Sequence, residues 1–169
     1  MNITSTRHCA LALIPLLGAA FLIQACGGGG NAVAQGVSDA DAIEGAWESS
    51  VTIRDCTSGA ALRTLKGASV LHRGGTATAT NNLPPASNGI AIGGWKREAT
   101  AAVYTVRLRF YRFNPDGTVA GAQILTRGVT LSADAKTLTG TIATQVLDNA
   151  DTVLQNICGT ETAVRVGVV

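Results

Sequence analysis

The sequence predicts an all-β fold: an eight-stranded antiparallel up-and-down barrel behind a cleaved signal peptide. Three observations carry that prediction. The stretch from Tyr104 to Leu131 holds two alternating apolar/polar runs around Asn114-Pro115-Asp116-Gly117, the pattern of a long β-hairpin with one buried face. Helical periodicity is nearly absent after Gly45, where short alternating runs separated by turn residues follow one another. Cys56 and Cys158 fall near the two ends of that series of strands, so they meet only if its first and last members are neighbours.

The first strand is read over 45–55, with Trp47, Val51 and Ile53 on one side and Glu48, Ser50 and Thr52 on the other. The second covers 61–72 and the third 76–80, with Arg73-Gly74-Gly75 turning between them. Pro84-Pro85 marks a loop, and the fourth strand follows over 90–97. In the central hairpin Tyr104, Val106, Leu108 and Phe110 share a face, opposite Thr105, Arg107 and Arg109. A period of two cannot serve a helix, whose faces repeat every 3.6 residues. The seventh strand is read over 137–147, with Leu138, Ile142 and Val146 on its apolar side and Thr137, Thr139 and Thr141 outside. Asp148-Asn149-Ala150-Asp151 turns the chain into the eighth, over 153–168.

Short sequential connections make such strands a meander. Each strand has one apolar face to hide and the sheet has two edges to dispose of, and closure into a barrel does both. A disulfide between Cys56 and Cys158 would cross-link a loop on the order of 100 residues, stabilising by roughly 4–5 kcal/mol in the chain-entropy model. Alternation places Cys56 on the polar face of its strand and Cys158 on the apolar face, which requires a bulge or a position past the strand end.

The start of the chain carries an address. Residues 9–23 form an apolar run behind Arg7, short for a membrane span and suited to a secretory signal. It ends in Leu22-Ile23-Gln24-Ala25-Cys26, which resembles the lipobox of bacterial lipoproteins. The resemblance implies cleavage before Cys26 and acylation of that cysteine. An ordinary signal peptide cut elsewhere and an uncleaved anchor are the alternatives. Residues 26–43 then read as a lipidated tether with Gly27 to Gly30 at its head, and 44–169 as the barrel. Coil of roughly sixteen residues sets the barrel about 20–24 Å from its anchor. Gly27, rather than Asp, after the cysteine resembles the sorting pattern of many Gram-negative lipoproteins, and that resemblance implies the outer membrane.

Loss of residues 1–25 takes Arg7 and no acid from a total of 13 basic and 11 acidic side chains. The near-neutral remainder argues against nucleic acid as a partner. Once Cys9 leaves and Cys26 is acylated, Cys56 and Cys158 are the cysteines left, an even pair in an oxidising compartment and hence an expected disulfide. With no Cys-x-x-Cys and one histidine in the mature chain, no metal or cofactor is implied.

Gly45-Ala46-Trp47, at the head of the first strand, resembles the G-x-W signature of lipocalins and their calycin relatives. The resemblance covers residues 44–169 at the level of architecture, and the chain departs from secreted lipocalins in lacking a C-terminal helix signal. It implies a basic residue packed over Trp47, and Arg165 in the last strand is the matching position. Alternation groups Arg165 with Glu161 and Ala163, opposite Val164 and Val166, so it is expected to reach the indole by wrapping around the barrel end.

Candidate site residues are few. Arg127 shares a face with Leu125, Val129 and Leu131 and so points inward, where a cation needs either a carboxylate such as Glu161 or an anionic ligand. Trp95 either closes one barrel end over a ligand or plugs the core, and Tyr104 stands on the apolar face of the central hairpin. His72 reads as a turn residue, since no catalytic triad or Cys-His pair can be assembled around it. Three functions follow. The first is a membrane-anchored envelope lipoprotein whose barrel binds a small apolar or amphipathic ligand, with Trp95, Tyr104 and Arg127 as contacts. The second is a structural lipoprotein with a filled barrel that binds an envelope protein through its outer surface. The third is an enzyme such as the isomerases or cyclases known among calycin-like barrels, for which no acid/base pair can be named.

Overall fold

Alternation and turn chemistry translate almost directly into strands. The computed structural model describes residues 41–84 and 88–167; the expected signal peptide, Cys26 and the expected tether up to residue 40 lie outside the described residues. The strands are β1 (Gly45–Arg54), β2 (Ala61–Leu71), β3 (Thr76–Asn81), β4 (Ala91–Arg97), β5 (Val103–Phe113), β6 (Val119–Leu131), β7 (Thr137–Leu147) and β8 (Val153–Arg165). Each pairs antiparallel with the next, and β1 pairs with β8 from Trp47↔Arg165 to Arg54↔Cys158, closing the barrel. β8 stops at Arg165 instead of continuing to 168. Past Thr137↔Val164 it has outrun β7, and on the β1 side the Val166 N–H adds one more bond, to the Ala46 carbonyl at 2.9 Å.

The central hairpin shows how the sequence sets the geometry. The Asn114 N–H donates to the Thr118 carbonyl at 2.8 Å, and Gly117 takes a φ of 84°, a left-handed conformation that a side chain would resist. Asp116 Oδ1 accepts from the backbone and the hydroxyl of Thr118 at 2.9 and 2.7 Å. Tyr104, Val106, Leu108 and Phe110 all point inward and are buried, while Thr137, Thr139 and Thr141 of β7 face solvent.

One end of the barrel is sealed. Trp47 is fully buried, and its Nε1 donates to the Ile43 carbonyl at 2.9 Å. Arg165 lies over the indole with its guanidinium carbon 4.3 Å from the ring centroid. The same guanidinium donates to the carbonyls of Ala135 (Nε, 2.8 Å), Glu44 (Nη1, 2.6 Å) and Ala42 (Nη2). One side chain thus ties the β6–β7 turn, the segment entering β1 and the core tryptophan together. Gly45 is required at this point: its φ is 131°, and a Cβ there would lie 2.6 Å from Arg165 Nη1.

The route by which Arg165 reaches the indole corrects the expectation. Glu161 and Ala163 are buried and Val164 and Val166 are 54% and 53% exposed, so the Glu161/Ala163/Arg165 face of β8 is the inner one. Arg165 is therefore a direct cross-strand neighbour of Trp47 and does not wrap around the end. The same correction removes the conflict between the cysteines. Cys158 lies on the outer face of β8, and Cys56, exposed just past the end of β1, meets it there with a Cα–Cα distance of 5.1 Å, within the ordinary disulfide range.

A double-mutant cycle over Trp47→Phe, Arg165→Met and the pair, read by urea unfolding, should be non-additive by about 0.5–2 kcal/mol. Additive losses would show that the guanidinium and the ring are energetically independent.

Candidate functional site

The barrel interior divides into two halves with different packing. Toward the sealed end, Ile43, Trp47, Leu71, Tyr104, Val129, Leu131 and Leu138 pack as one buried cluster. Toward the open end, where the β1–β2, β3–β4, β5–β6 and β7–β8 connections lie, there is a cavity of about 140 Å³. Its walls are mainly apolar, from Val51, Ile53, Leu65, Phe110, Leu125 and Ile142, with Arg63 and Lys66 among the lining residues. The space exists because β2–β4 turn small residues toward it: Gly67, Ser69, Ala79 and Ala91 leave the lumen unfilled where larger side chains would meet.

A polar layer crosses the lumen between these halves. Arg127 of β6 and Glu161 of β8 are each 3% exposed, and Arg127 Nε donates to Glu161 Oε1 at 2.8 Å. Arg127 Nη1 donates to the Ser69 hydroxyl of β2 at 3.3 Å. Each of the three sits at the boundary. Two residues one way lie Val129, Ala163 and Leu71, members of the packed cluster; two residues the other way on β6 and β2 lie Leu125 and Gly67, which line the cavity. The third guanidinium nitrogen, Nη2, is buried and has no hydrogen-bond partner among the described residues.

The sequence-predicted residues separate accordingly. Arg127 lines the cavity, and Glu161 is the carboxylate that pairs with it. Trp95 and Tyr104 do not line the cavity; they belong to the sealed end. Their rings meet edge-on with centroids 6.0 Å apart, and Trp95 Nε1 donates to the His72 carbonyl at 2.9 Å. Tyr104 donates its hydroxyl to Asp41 Oδ1 at 2.5 Å, and Arg97 stands 3.7 Å from the other Asp41 oxygen. Burial, reinforced by the bond to the Asp41 carboxylate, pushes the Tyr104 pKa up to about 12. His72 is exposed in the β2–β3 turn, 3.3 Å from the Thr78 hydroxyl. Sequence reasoning missed Ser69 as the third member of the polar layer. The signal available was the run of small inward-facing residues on the second and third strands, which marks the thin side of the interior.

The open end is held in shape by its turns. Asp55, Asp116 and Asp148 each accept bonds within their own turn, and their carboxyls are lowered below the usual range: Asp55 chiefly by the Ser58 N–H, Asp116 by the Thr118 hydroxyl, Asp148 by the Thr152 N–H. Arg109 and Asp151 form an exposed pair at 2.6 Å beside the same end. Among the described residues no group of three His, Cys, Asp or Glu side chains converges as a metal site. No protein-family model matches the sequence, and no curated protein matches it. The likeness to calycins therefore stands on barrel architecture together with the Gly45, Trp47 and Arg165 geometry.

Two expectations follow. Arg127→Met alone strands the Glu161 carboxylate in the interior and should destabilise by roughly 3–5 kcal/mol, whereas Arg127→Met with Glu161→Leu should be near neutral or stabilising; urea midpoints of both variants decide this. Because Tyr104 is raised in the folded state, its contribution to stability is complete below the ordinary value of 10.0 and is lost as pH rises toward about 12. The wild type should therefore lose more stability than Tyr104→Phe in thermal melts taken across that window.

Proposed function

We propose that this chain is an envelope lipoprotein, held through an acylated Cys26 at the outer membrane, whose calycin-like barrel binds a small amphipathic molecule at its open end. The observation that carries the reading is the cavity of about 140 Å³, apolar in its walls and bounded by a buried arginine with a spare donor. Its volume sets the scale of the ligand. An apolar cavity of about 150 Å³ takes up a molecule the size of benzene, whereas drug-sized ligands occupy roughly 300–1,000 Å³. The ligand is a single ring or a short chain, or the end of a longer molecule whose remainder emerges among the open-end turns. Acylation is supported by Leu22-Ile23-Gln24-Ala25-Cys26 and by the glycines that follow. More than one acyl chain makes such an anchor stable.

A second reading has its own observation. Ile90 and Ile92 before and within β4, and Tyr111 of β5, are 71%, 63% and 56% exposed on the outer wall, an apolar surface available to an envelope protein. Half of the barrel interior is also packed, which suits a structural role.

Native mass spectrometry of protein purified from its own envelope separates the two readings. Binding requires a small molecule that co-purifies at one per chain and is lost on unfolding, and the outer-wall reading requires a co-purifying protein released by Ile92→Lys. Cell fractionation tests the anchor. Cys26→Ala should abolish processing and membrane retention; a mutant still cleaved and membrane-bound would remove the lipoprotein claim.

A further inference from the structure

We infer that the open end takes a small amphipathic anion, such as a single-ring carboxylic acid, and that Arg63 holds its head group at the mouth. The inference rests on the binding reading above and deepens it by naming the ligand's charge. Arg63 continues the inner face of β2 that runs through Leu71, Ser69, Gly67 and Leu65; it lines the cavity and is itself exposed. The charged residues of the lining are Arg63, Lys66, Arg127 and Glu161, and the one carboxylate among them is taken by Arg127 at 2.8 Å. Lys66 belongs to the outer face of β2, where it shares a shallow depression with Glu48. Other cations at this end are engaged: Arg54 by the Thr160 hydroxyl and Gly59 carbonyl, Arg112 by the Ala120 and Leu147 carbonyls, and Arg109 by Asp151. Arg63 has neither an ion pair nor a side-chain hydrogen bond among the described residues. Asp55, Asp116 and Asp148 accept bonds inside their own turns, and none of them lines the cavity.

The far wall supplies matching donors. β6 lies opposite β2 in a closed ring of eight strands, and its half-buried Gln123 lines the cavity with no side-chain hydrogen bond among the described residues. Thr144 of β7 lines it too, 6% exposed, and its hydroxyl is likewise without a partner there. Arg63 stands six residues from Ser69, and Gln123 four from Arg127, both toward the open end. A head group at this level keeps part of its water and meets a guanidinium whose fork matches a carboxylate. Deeper in, it would lose that water and approach Glu161. The apolar walls formed by Val51, Leu125 and Ile142 take the ring.

The test uses three phenyl compounds of nearly equal size at neutral pH: phenylacetate (anion), phenylacetamide (neutral) and phenethylammonium (cation). Each is titrated by NMR chemical shift into the chain from residue 27 onward, which keeps every barrel residue and omits the acylated cysteine. The same titrations are run on Arg63→Met and Lys66→Met, both exposed positions, with folding checked by circular dichroism. Phenylacetate is expected to bind about five-fold more tightly than phenylacetamide, the scale of one solvent-accessible ion pair, and phenethylammonium most weakly. Arg63→Met should bring phenylacetate level with phenylacetamide and leave the amide's affinity unchanged, while Lys66→Met keeps the preference. Phenylacetamide or phenethylammonium binding as tightly as phenylacetate to the wild type would overturn the inference and leave the binding reading standing. A preference that survives Arg63→Met, or falls equally in Lys66→Met, would overturn Arg63 as the group that holds the anion. Binding of none of the three to the wild type would remove the binding reading itself.

Discussion

Everything in this fold depends on β8 lying against β1. A meander of eight strands with one apolar face each has two unpaired edges until its ends meet, and an open sheet of this kind would expose both edges and the inner face. Closure is secured at both ends of the β1–β8 seam. On the outside, toward the open end, Cys56 and Cys158 join covalently. At the sealed end Arg165 covers Trp47 and donates to three carbonyls from two separate segments. Between these points the register from Trp47↔Arg165 to Arg54↔Cys158 is continuous. The disulfide constrains the unfolded chain, and the Arg165 clasp fixes which residues come opposite one another in the folded one.

The clasp also gives the barrel its polarity. The segment just before β1 crosses the sealed end, where Ile43 is fully buried and Asp41 is bound by Tyr104. Large side chains fill that half. The other half has small residues on β2–β4 and a set of hydrogen-bonded turns around its mouth, so packing density falls along the barrel axis. One half of the barrel is closed and packed, and the other is open with room inside.

The Arg127–Glu161–Ser69 layer lies where the two halves meet, and it is an odd choice for stability. Replacing a buried ion pair with apolar residues of similar volume is often neutral or favourable. The layer sets a charge-neutral ion pair at the boundary between the packed half and the cavity. Its geometry is held by strands from three parts of the sequence, β2, β6 and β8.

The sequence by itself determined the strands, their order and the closure. Alternation in Tyr104, Val106, Leu108 and Phe110, the Asn114-Pro115-Asp116-Gly117 turn and the placement of Cys56 and Cys158 are local or combinatorial facts, and each has one physical solution. Gly45 and Trp47 named the sealed end, and Arg127 announced a charge inside. Tertiary structure alone decided which face of β8 is the inner one. Val164 and Val166 look like core residues and Glu161 and Arg165 like surface residues until their partners, Arg127 on β6 and Trp47 on β1, are in place. Alternation puts Arg127 inside, but on β8 it takes the face carrying Glu161 and Arg165 for the outer one, because the partners that make charge tolerable there lie far away in the chain, Arg127 at a separation of 34 from Glu161 and Trp47 across the β1–β8 seam. The cavity was hidden for the same reason. Its volume is the difference between the space the strands enclose and the side chains that enter it, and Trp95 and Tyr104 went to the sealed end because register and stagger, not residue type, set their height in the barrel.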